Sequence, residues 1–391
     1  MLSFFVIVLW LLIALELIKG LSANGTPPVL QRFAWQMDLA YAMWSSIAII
    51  RIVGAVVLLT GFFLVPVDAQ LAAVLWAVPL LALWGGIYWL FNHYWVGRVK
   101  FPPIGQKVFA SEQDNTLDLR LQVIGVERNG VAKAFPANML YFHHQIPDEI
   151  DGHPIWVTYC GLCRSGRVYD LKVDGQTLTF SLIGAISYNA TFRDTNTGSW
   201  WRQETGEAAK GPLRGRVLDD VGFEQMTLAD WFAKHPDSTV LQYDPSFVGP
   251  YTFTHKLLSY EASKPAWHMV GDPPLVLGVV IDGEAHAYDW GQLKARGLVH
   301  DAVNGTDVLA LTDPEQIAGF VYGRRVEGRC LNFERDGDGS LRDRETGSTW
   351  NHFGRCIKGE LSGQAMPLIQ SYQQYVRGWI TFHPDTTFFD F

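Results

Sequence analysis

The chain has 391 residues, a net charge of −8 and a hydrophobic fraction of 48%. This length allows two or three domains, and the acidic balance excludes the basic surface expected when nucleic acid is the main partner. Only six Asp, Glu, Lys and Arg side chains fall within residues 1–97, so an apolar block precedes an ordinary globular one. The 4 cysteines are too few for a disulfide framework in a domain of this size.

Three stretches of the apolar block are long enough to cross about 30 Å of hydrocarbon. They cover residues 2–21, 43–67 and 71–96, and the short link at 66–70 predicts a tight hairpin between the second and third spans. No Lys or Arg precedes the first stretch, unlike a standard secretory signal. We therefore expect an integral protein of the inner (cytoplasmic) membrane, with the lipid bilayer as its first partner and another membrane protein as a candidate second one.

The number of spans determines which segments of the chain share one face of the membrane. Three spans place residues 22–42 and the chain after residue 97 on one face, which carries all the basic residues of this region: Lys19, Arg32, Arg51, Arg98 and Lys100. The positive-inside rule favours a cytoplasmic domain, but long domains cross membranes largely regardless of their charge.

The remainder of the chain contains an internal repeat. Residues 123–135 match residues 276–288 at six of thirteen positions, and residues 193–201 match residues 342–350 at six of nine. A His-Pro-Asp triplet follows in both segments, at His235 and at His383. Three ordered matches at nearly constant spacing indicate a duplication. The predicted domains are a membrane domain at 1–97, a linker at 98–120, a first β-rich repeat at 121–244, a connector at 245–274 and a second, degenerate β-rich repeat at 275–391.

The repeats are predicted to be built from β-hairpins. Asn129-Gly130 and Asp282-Gly283 are tight-turn signals between alternating segments, and strands at 155–159 and 167–171 flank two cysteines. Residues 227–234 and 368–378 have the pattern of short amphipathic helices. The expected fold is thus an N-terminal α-helical membrane segment plus a β-rich (α+β) soluble domain made of two divergent repeats.

The strongest chemical signal is the C-x-x-C formed by Cys160 and Cys163. Two thiolates on one turn can bind a Zn or Cu ion, with His143 and His144 among the nearest further ligands in the sequence. They can also form a redox dithiol, or they can simply pack as buried thiols. Arg164 stands where covalent haem attachment needs His, and no Gly-rich loop indicates a nucleotide or flavin.

A rival interpretation is a module that binds a ligand or a protein in a groove between the repeats, without catalysis. Each copy has a Thr-Gly-Ser segment followed by tryptophan, which supplies Trp200, Trp201 and Trp350. These rings can be buried anchors or an aromatic platform lining the groove. No nucleophile–base pair can be named, so the sequence does not identify an enzyme. The second copy lacks cysteines at the equivalent turn, near residues 311–316, which places the candidate site in the first copy.

Several ordered motifs of the first copy resemble the prokaryotic domain of unknown function 3179 (DUF3179) family. The resemblance covers residues 123–241 and rests mainly on segments 143–148, 157–163, 194–201 and 206–218. The family usually has Pro where this chain has Gly161, and His144 also departs from the family pattern. The resemblance implies a shared fold, an exported domain, and importance for Cys160, Cys163 and His143, and it implies no particular activity. The leading hypothesis is a membrane-anchored metal-binding or thiol-redox protein.

Overall fold

A computed structural model describes residues 2–25, 28–263 and 275–391. The chain forms two compact units. The first contains Met1–Pro102, Leu178–Arg202 and Glu207–Arg216, and the second contains Pro103–Thr177, Gln203–Gly206 and Val217–Phe391. The β-rich sequence therefore contributes to both units, because two of its segments belong with the apolar N-terminal block.

The N-terminal block consists of helices. They are α1 (Leu2–Ala23), α2 (Trp35–Leu64), α3 (Val67–Trp89), which continues as a π-helical turn (Leu90–Tyr94), and α4 (Gly97–Lys100), with a 3-10 turn at Pro28–Arg32. Three helices, Leu2–Ala23, Trp35–Leu64 and Val67–Tyr94, are long and apolar enough to cross a membrane. The predicted short link is confirmed, since α2 ends at Leu64 and α3 begins at Val67. Both helices pack against α1, and a tight hairpin between them stays a prediction. Membrane association is thereby supported, while the type of membrane and the side of the β-rich part stay predictions.

Helix α2 begins earlier than the expected position 43. The polar side chain of Gln36 is fully buried, and its Nε2 donates to the Ser22 carbonyl oxygen at 2.7 Å. A polar residue whose amide nitrogen is paired in this way can lie inside the apolar block, which hydropathy alone does not reveal.

The first half of the β-rich part begins with short hairpins. Its elements are β1 (Phe109–Ala110), β2 (Gln122–Arg128), β3 (Val131–Pro136), α5 (Ala137–His143), β4 (Gln145–Ile150), β5 (His153–Cys160), β6 (Ser165–Asp170), β7 (Lys172–Val173), β8 (Gln176–Thr177), β9 (Phe180–Ile186), β10 (Asn189–Asp194), β11 (Trp200–Arg202), β12 (Ala208–Lys210), β13 (Glu224–Thr227), α6 (Leu228–Lys234) and β14 (Thr239–Leu241).

The second half follows a 3-10 turn (Pro245–Phe247) and helix α7 (Val248–Ser263). Its elements are β15 (Leu275–Ile281), β16 (Glu284–Asp289), α8 (Trp290–Arg296), β17 (Leu298–Val303), β18 (Thr306–Thr312), β19 (Gly319–Gly323), β20 (Arg325–Val326), β21 (Arg329–Cys330), β22 (Phe333–Arg335), β23 (Leu341–Asp343), β24 (Thr349–Trp350), β25 (Cys356–Lys358), β26 (Leu368–Ile369), β27 (Ser371–Tyr375), α9 (Val376–Phe382) and β28 (Thr387–Phe388).

The two halves form similar sheets. The order β14-β3-β2-β13 in the first half has the counterpart β28-β16-β15-β27 in the second, and the pairs β14–β3 and β28–β16 are both parallel. The strands β4-β5-β6 correspond to β17-β18-β19, and β12-β11-β10-β9 corresponds to β25-β24-β23-β22. The β-rich architecture expected from the sequence is therefore confirmed.

Local turn chemistry explains the hairpins that the sequence predicted. Asn129 and Gly130 have φ of 51° and 84°, and Asp282 and Gly283 have φ of 48° and 84°. Two consecutive positive φ values suit the tight turns that match strand twist, and Asn, Asp and Gly adopt them most readily.

One predicted helix is wrong. Residues 368–375 form β26 and β27, and only the last part of the segment enters α9. Strand β27 pairs with β15 from Tyr375 opposite Leu275 to Ser371 opposite Val279. This long-range pairing overrides the helical pattern, as tertiary contacts often do. The other predicted helix is confirmed as α6, where the Thr227 hydroxyl caps the N-terminus by accepting from the Asp230 amide.

In the first unit, the sheet β9–β12 packs on the helical segment. Ala23, Met37 and Ala40 form one apolar cluster with sheet residues that include Ile183 and Trp200. In the second unit, the largest core joins both halves, since Trp231 of α6 packs among residues of β18, β19 and β22–β25. Burial of these apolar side chains is the main stabilising contribution in each unit.

Candidate functional site

The C-x-x-C motif lies on the hairpin turn between β5 and β6. Cys160 and Ser165 are the last paired residues of that hairpin, so residues 161–164 form the turn. A Cβ atom at Gly161 would lie 2.6 Å from Cζ of Tyr141. Glycine at this position therefore allows the Tyr141 ring to lie directly against the turn.

Both cysteines are buried, each with 1% of its surface exposed. Cys163 Sγ lies 3.1 Å from Ser165 Oγ, which donates to Gln203 Oε1 at 3.1 Å. Gln203 Nε2 in turn donates to Thr158 Oγ1 at 3.0 Å. A chain of neutral hydrogen-bonding side chains, Ser165, Gln203 and Thr158, thus lies next to the turn.

The environment of the sulfur atoms favours thiols over thiolates. Burial raises the pKa of the Cys163 thiol well above its ordinary value, and the hydrogen-bonded side chain of Cys160 and the charge of Glu204 raise it further. Cys163 is therefore protonated at neutral pH, and its nucleophilic form is scarce.

A buried ion pair lies in the same region. Arg167 Nη2 donates to Glu204 Oε1, and Arg167 Nε donates to the Glu204 carbonyl oxygen at 3.0 Å. Gln374 Nε2 donates to the same carboxylate at 2.8 Å, and the Tyr372 ring lies 3.7 Å from the guanidinium carbon. Because a buried charge is costly unless it is paired and hydrogen-bonded, these contacts are what make the pair tolerable.

The second half of the chain covers the cysteine turn. The Tyr375 amide donates to the Cys163 carbonyl oxygen at 2.9 Å. A Cβ atom at Gly378 would lie 2.6 Å from Cys163 Cβ, so the start of α9 approaches the turn closely. The site is thus built from both halves, which the sequence did not indicate.

Sequence reasoning missed Glu204, Arg167 and Gln374. A signal existed in the comparison of the halves. After the shared tryptophan, the first half continues Arg-Gln-Glu-Thr-Gly to residue 206, whereas the second continues Asn-His-Phe-Gly to residue 354. The extra polar residues occur only in the half that carries the cysteines.

The structure places the two predicted histidines as follows. His143, at the end of α5, has its Nε2 2.6 Å from the Tyr251 hydroxyl and packs against the ring of Phe247. His144 caps α5 with φ of 64°, and its carbonyl oxygen accepts from the Tyr159 amide at 3.1 Å. Burial lowers the pKa of His144 to about 4, so it is neutral at pH 7.

The described residues give the metal hypothesis no support. Within residues 2–25, 28–263 and 275–391, no group of three or more His, Cys, Asp or Glu side chains could hold a metal ion. Cys160, Cys163, His143 and His144 therefore do not form such a group. Binding of Zn or Cu stays a prediction.

The three predicted tryptophans are all buried, with at most 1% exposed. Trp201 Nε1 donates to Asp194 Oδ2 at 2.8 Å, and Trp350 Nε1 donates to Asp343 Oδ2 at 2.9 Å. Trp200 packs edge-on against Tyr41, with ring centroids 5.4 Å apart. These positions agree with the interpretation as anchors and give no support to an aromatic platform.

The comparisons with known proteins identify a family. A family model described as "Protein of unknown function (DUF3179)" matches residues 98–386. The match extends the resemblance seen at residues 123–241 through the second half of the chain. No curated protein and no solved structure matches.

Proposed function

Because the chain belongs to the DUF3179 family, whose description names no activity, we propose a function from its own cysteines: a membrane-anchored thiol–disulfide protein. Cys160 and Cys163 would begin as two thiols and be oxidised to one intramolecular disulfide. The observation that carries this proposal is that two buried cysteines lie on one hairpin turn, with Cys163 Sγ 3.9 Å from the Cys160 carbonyl oxygen. The absence of a metal-competent group among the described residues favours this chemistry over metal binding.

The proposed reaction is thiol–disulfide exchange with a disulfide of a small thiol compound or a protein. One cysteine thiolate attacks the external disulfide, forms a mixed disulfide and expels one thiolate. The second cysteine then displaces the other external sulfur. The external disulfide gains two electrons and leaves as two thiols, while the protein loses two electrons and two protons and forms its S–S bond.

Burial of the two cysteines determines how easily the proposed disulfide would be reduced and how fast it would exchange. The high pKa of Cys163 means that no charge stabilisation favours the reduced form, unlike in strongly oxidising C-x-x-C proteins. A disulfide here would therefore be hard to reduce, and exchange would be slow because the sulfur atoms are inaccessible. These properties suit a pair that is oxidised once in an oxidising compartment, which agrees with an exported domain.

The deciding experiment is a redox titration of the full-length protein in mixtures of reduced and oxidised dithiothreitol, with free thiols counted by mass tagging. We expect Cys160 and Cys163 to lose two tags together in a two-electron transition. Cys160→Ser should abolish that transition, whereas Cys356→Ser, at a buried cysteine on β25, should leave it intact. Two thiols that stay unpaired at every potential would rule the proposal out.

Elemental analysis of the same preparations separates the metal alternative. Stoichiometric Zn or Cu in the wild type, lost in Cys160→Ser and retained in Cys356→Ser, would replace the thiol–disulfide proposal with a metal site.

We also infer that residues 121–244 and 275–391 are divergent copies of one unit. The inference is supported by the common order of their elements and by repeated contacts. Gly125 lies against the Trp231 ring as Gly278 lies against the Trp379 ring, and the aspartate three residues before each Thr-Gly-Ser segment accepts from a tryptophan nitrogen. The cysteine pair would then be a specialisation of the first copy.

A further inference from the structure

A cavity of about 410 Å³ lies beside the cysteine turn within the second unit, because Arg164 of that turn lines it. This volume is within the range of small-molecule sites, which is about 300–1,000 Å³. The residues that matter for its chemistry come from the segment before β2, α5, the cysteine turn, α7 and the second half of the chain: Asp118, Arg120, Asn138, Arg164, Leu258 and Ile317.

Arg164 is the unusual member of this lining. Its residue surface is only 3% exposed, and its Nε and Nη1 atoms have no hydrogen-bond partner within the described part of the chain. No ion pair of Arg164 is found among those residues either. A buried guanidinium without a counter-charge is strongly disfavoured, so an anion that approaches through the cavity would remove a real energetic cost.

The other charges of the lining do not cancel Arg164. Asp118 is the lining carboxylate, and Arg120 Nη2 binds it at 2.8 Å. Hydrogen bonds from the Arg120 side chain hold the pKa of Asp118 at about 2, so this pair is ionised and neutral overall. The positive charge of Arg164 therefore remains as the net charge of these three groups.

The other lining residues indicate which kind of ligand would fit around its charged group. Leu258 and Ile317 are apolar and can contact a hydrocarbon body. Asn138 Nδ2 donates to the Tyr243 hydroxyl at 2.7 Å and to the Tyr251 carbonyl at 3.1 Å, which fixes the orientation of its amide. A single unpaired cation beside apolar side chains matches a monocarboxylate better than a phosphate, which generally requires several donors.

We propose that this cavity binds a small organic carboxylate, with the anionic group near Arg164 and the carbon body against Leu258 and Ile317. The proposal is independent of the thiol–disulfide function, because it requires no chemistry at the cysteines.

The test is isothermal titration of the full-length protein in lipid nanodiscs, with empty nanodiscs as the blank. The probes are acetate, benzoate and hexanoate, with hexan-1-ol as the uncharged match of hexanoate and inorganic phosphate as a different anion. We expect saturable one-site binding of benzoate or hexanoate, and at least about tenfold weaker binding of hexan-1-ol, because the alcohol lacks the charge-assisted hydrogen bond.

Two variants assign the binding to this cavity. Arg164→Gln should weaken carboxylate binding by about tenfold or more. Ile317→Trp should block the cavity while keeping the guanidinium, whereas Ile357→Trp, at an isoleucine that is 55% exposed on β25, should leave binding unchanged. If Arg164→Gln does not fold, Ile317→Trp decides the question alone.

The melting temperature without ligand adds a readout that a structural role would not give. Removing an uncompensated buried charge should leave the midpoint of Arg164→Gln equal to or above that of the wild type. Unchanged carboxylate binding in a folded Arg164→Gln, unchanged binding in Ile317→Trp, binding of phosphate alone, or no saturable binding of any carboxylate would each overturn the proposal.

Discussion

At the scale of single residues, the turns that follow β5 and β18 occupy corresponding places in the two halves but carry different side chains. In the first half the turn carries the cysteines. In the second, Asp313 follows β18, and its Oδ1 accepts from the amides of Ile317 and Ala318 at 2.7 and 2.8 Å. Its Oδ2 has no hydrogen-bond partner among the described residues, and burial raises its pKa to about 6. The carboxyl group thus holds the turn at a cost when it is ionised.

This cost predicts a pH dependence. The folded-state pKa of Asp313, about 6, lies above the ordinary 3.8. Between these two pH values the native state therefore binds more protons than the unfolded state. The contribution to stability is complete below about pH 4 and is lost as the pH rises through about 6. Asp313→Asn should therefore raise the free energy of unfolding by about 1–3 kcal/mol at pH 7.5 and by much less at pH 4.

Thermal unfolding at the two pH values would measure this difference. Asp338→Asn is the control, because hydrogen bonds from Ser340 lower the pKa of that exposed aspartate instead. A gain at pH 7.5 that persists unchanged at pH 4 would contradict the role assigned to Asp313.

At the scale of elements, the first hairpin of each half depends on a glycine facing a tryptophan. A Cβ atom at Gly125 of β2 would lie 2.1 Å from the Trp231 ring, and one at Gly278 of β15 would lie 2.6 Å from the Trp379 ring. Both tryptophans are fully buried, so neither ring can move into free space. The glycines are therefore required by helix-to-sheet packing rather than by backbone conformation.

Gly125→Ala and Gly278→Ala should each destabilise the protein by about 1–3 kcal/mol, the usual effect of overpacking a core. Gly222→Ala is the matched control, because a Cβ there meets nothing within 4 Å. Denaturant titration of the full chain in mild detergent measures the three variants. Equal stability of Gly125→Ala and Gly222→Ala would show that the helix relaxes without cost.

At the scale of the whole molecule, a buried polar network joins the three long helical segments. Arg51 donates to Glu16 through Nη2 at 2.6 Å and through Nε at 3.1 Å, and Asn92 Nδ2 donates to the same carboxylate at 2.7 Å. Lys19 donates to Asn92 Oδ1 and lies 3.8 Å from Glu16 Oε1. Ionisable groups between such helices are tolerated only when they are paired in this way.

The network predicts an order of effects. Glu16→Gln leaves both cations without their carboxylate and should destabilise the helical segment by about 3 kcal/mol or more. Lys19→Gln keeps the Glu16–Arg51 pair and should cost less, and Asp68→Asn at an exposed position should cost least. Thermal unfolding in detergent gives the order, and a larger loss in Lys19→Gln than in Glu16→Gln would be inconsistent with it.

The membrane side of the β-rich part is also decided at this scale. The thiol–disulfide proposal expects it on the oxidising face. In a Cys330→Ser background, a membrane-impermeant maleimide added to intact cells should then label Val131→Cys, at the first hairpin, and not Val67→Cys, in the link between α2 and α3. Labelling of Val67→Cys alone would instead place the β-rich part in the cytoplasm, as the positive-inside rule favours.

The amino-acid sequence by itself determined the features with local causes. The length and apolarity of three stretches define the spans, and the Asn-Gly and Asp-Gly pairs define the hairpin turns. Cys160 and Cys163 lie on one turn because only two residues separate them. Only the tertiary structure decided what surrounds those features. Glu204 and Gln374, which are distant in sequence, bind the Arg167 guanidinium. The Tyr251 hydroxyl is hydrogen-bonded to Nε2 of His143, and Arg164 is buried beside a cavity. Such partners depend on long-range strand pairing and core packing, which no short sequence pattern encodes.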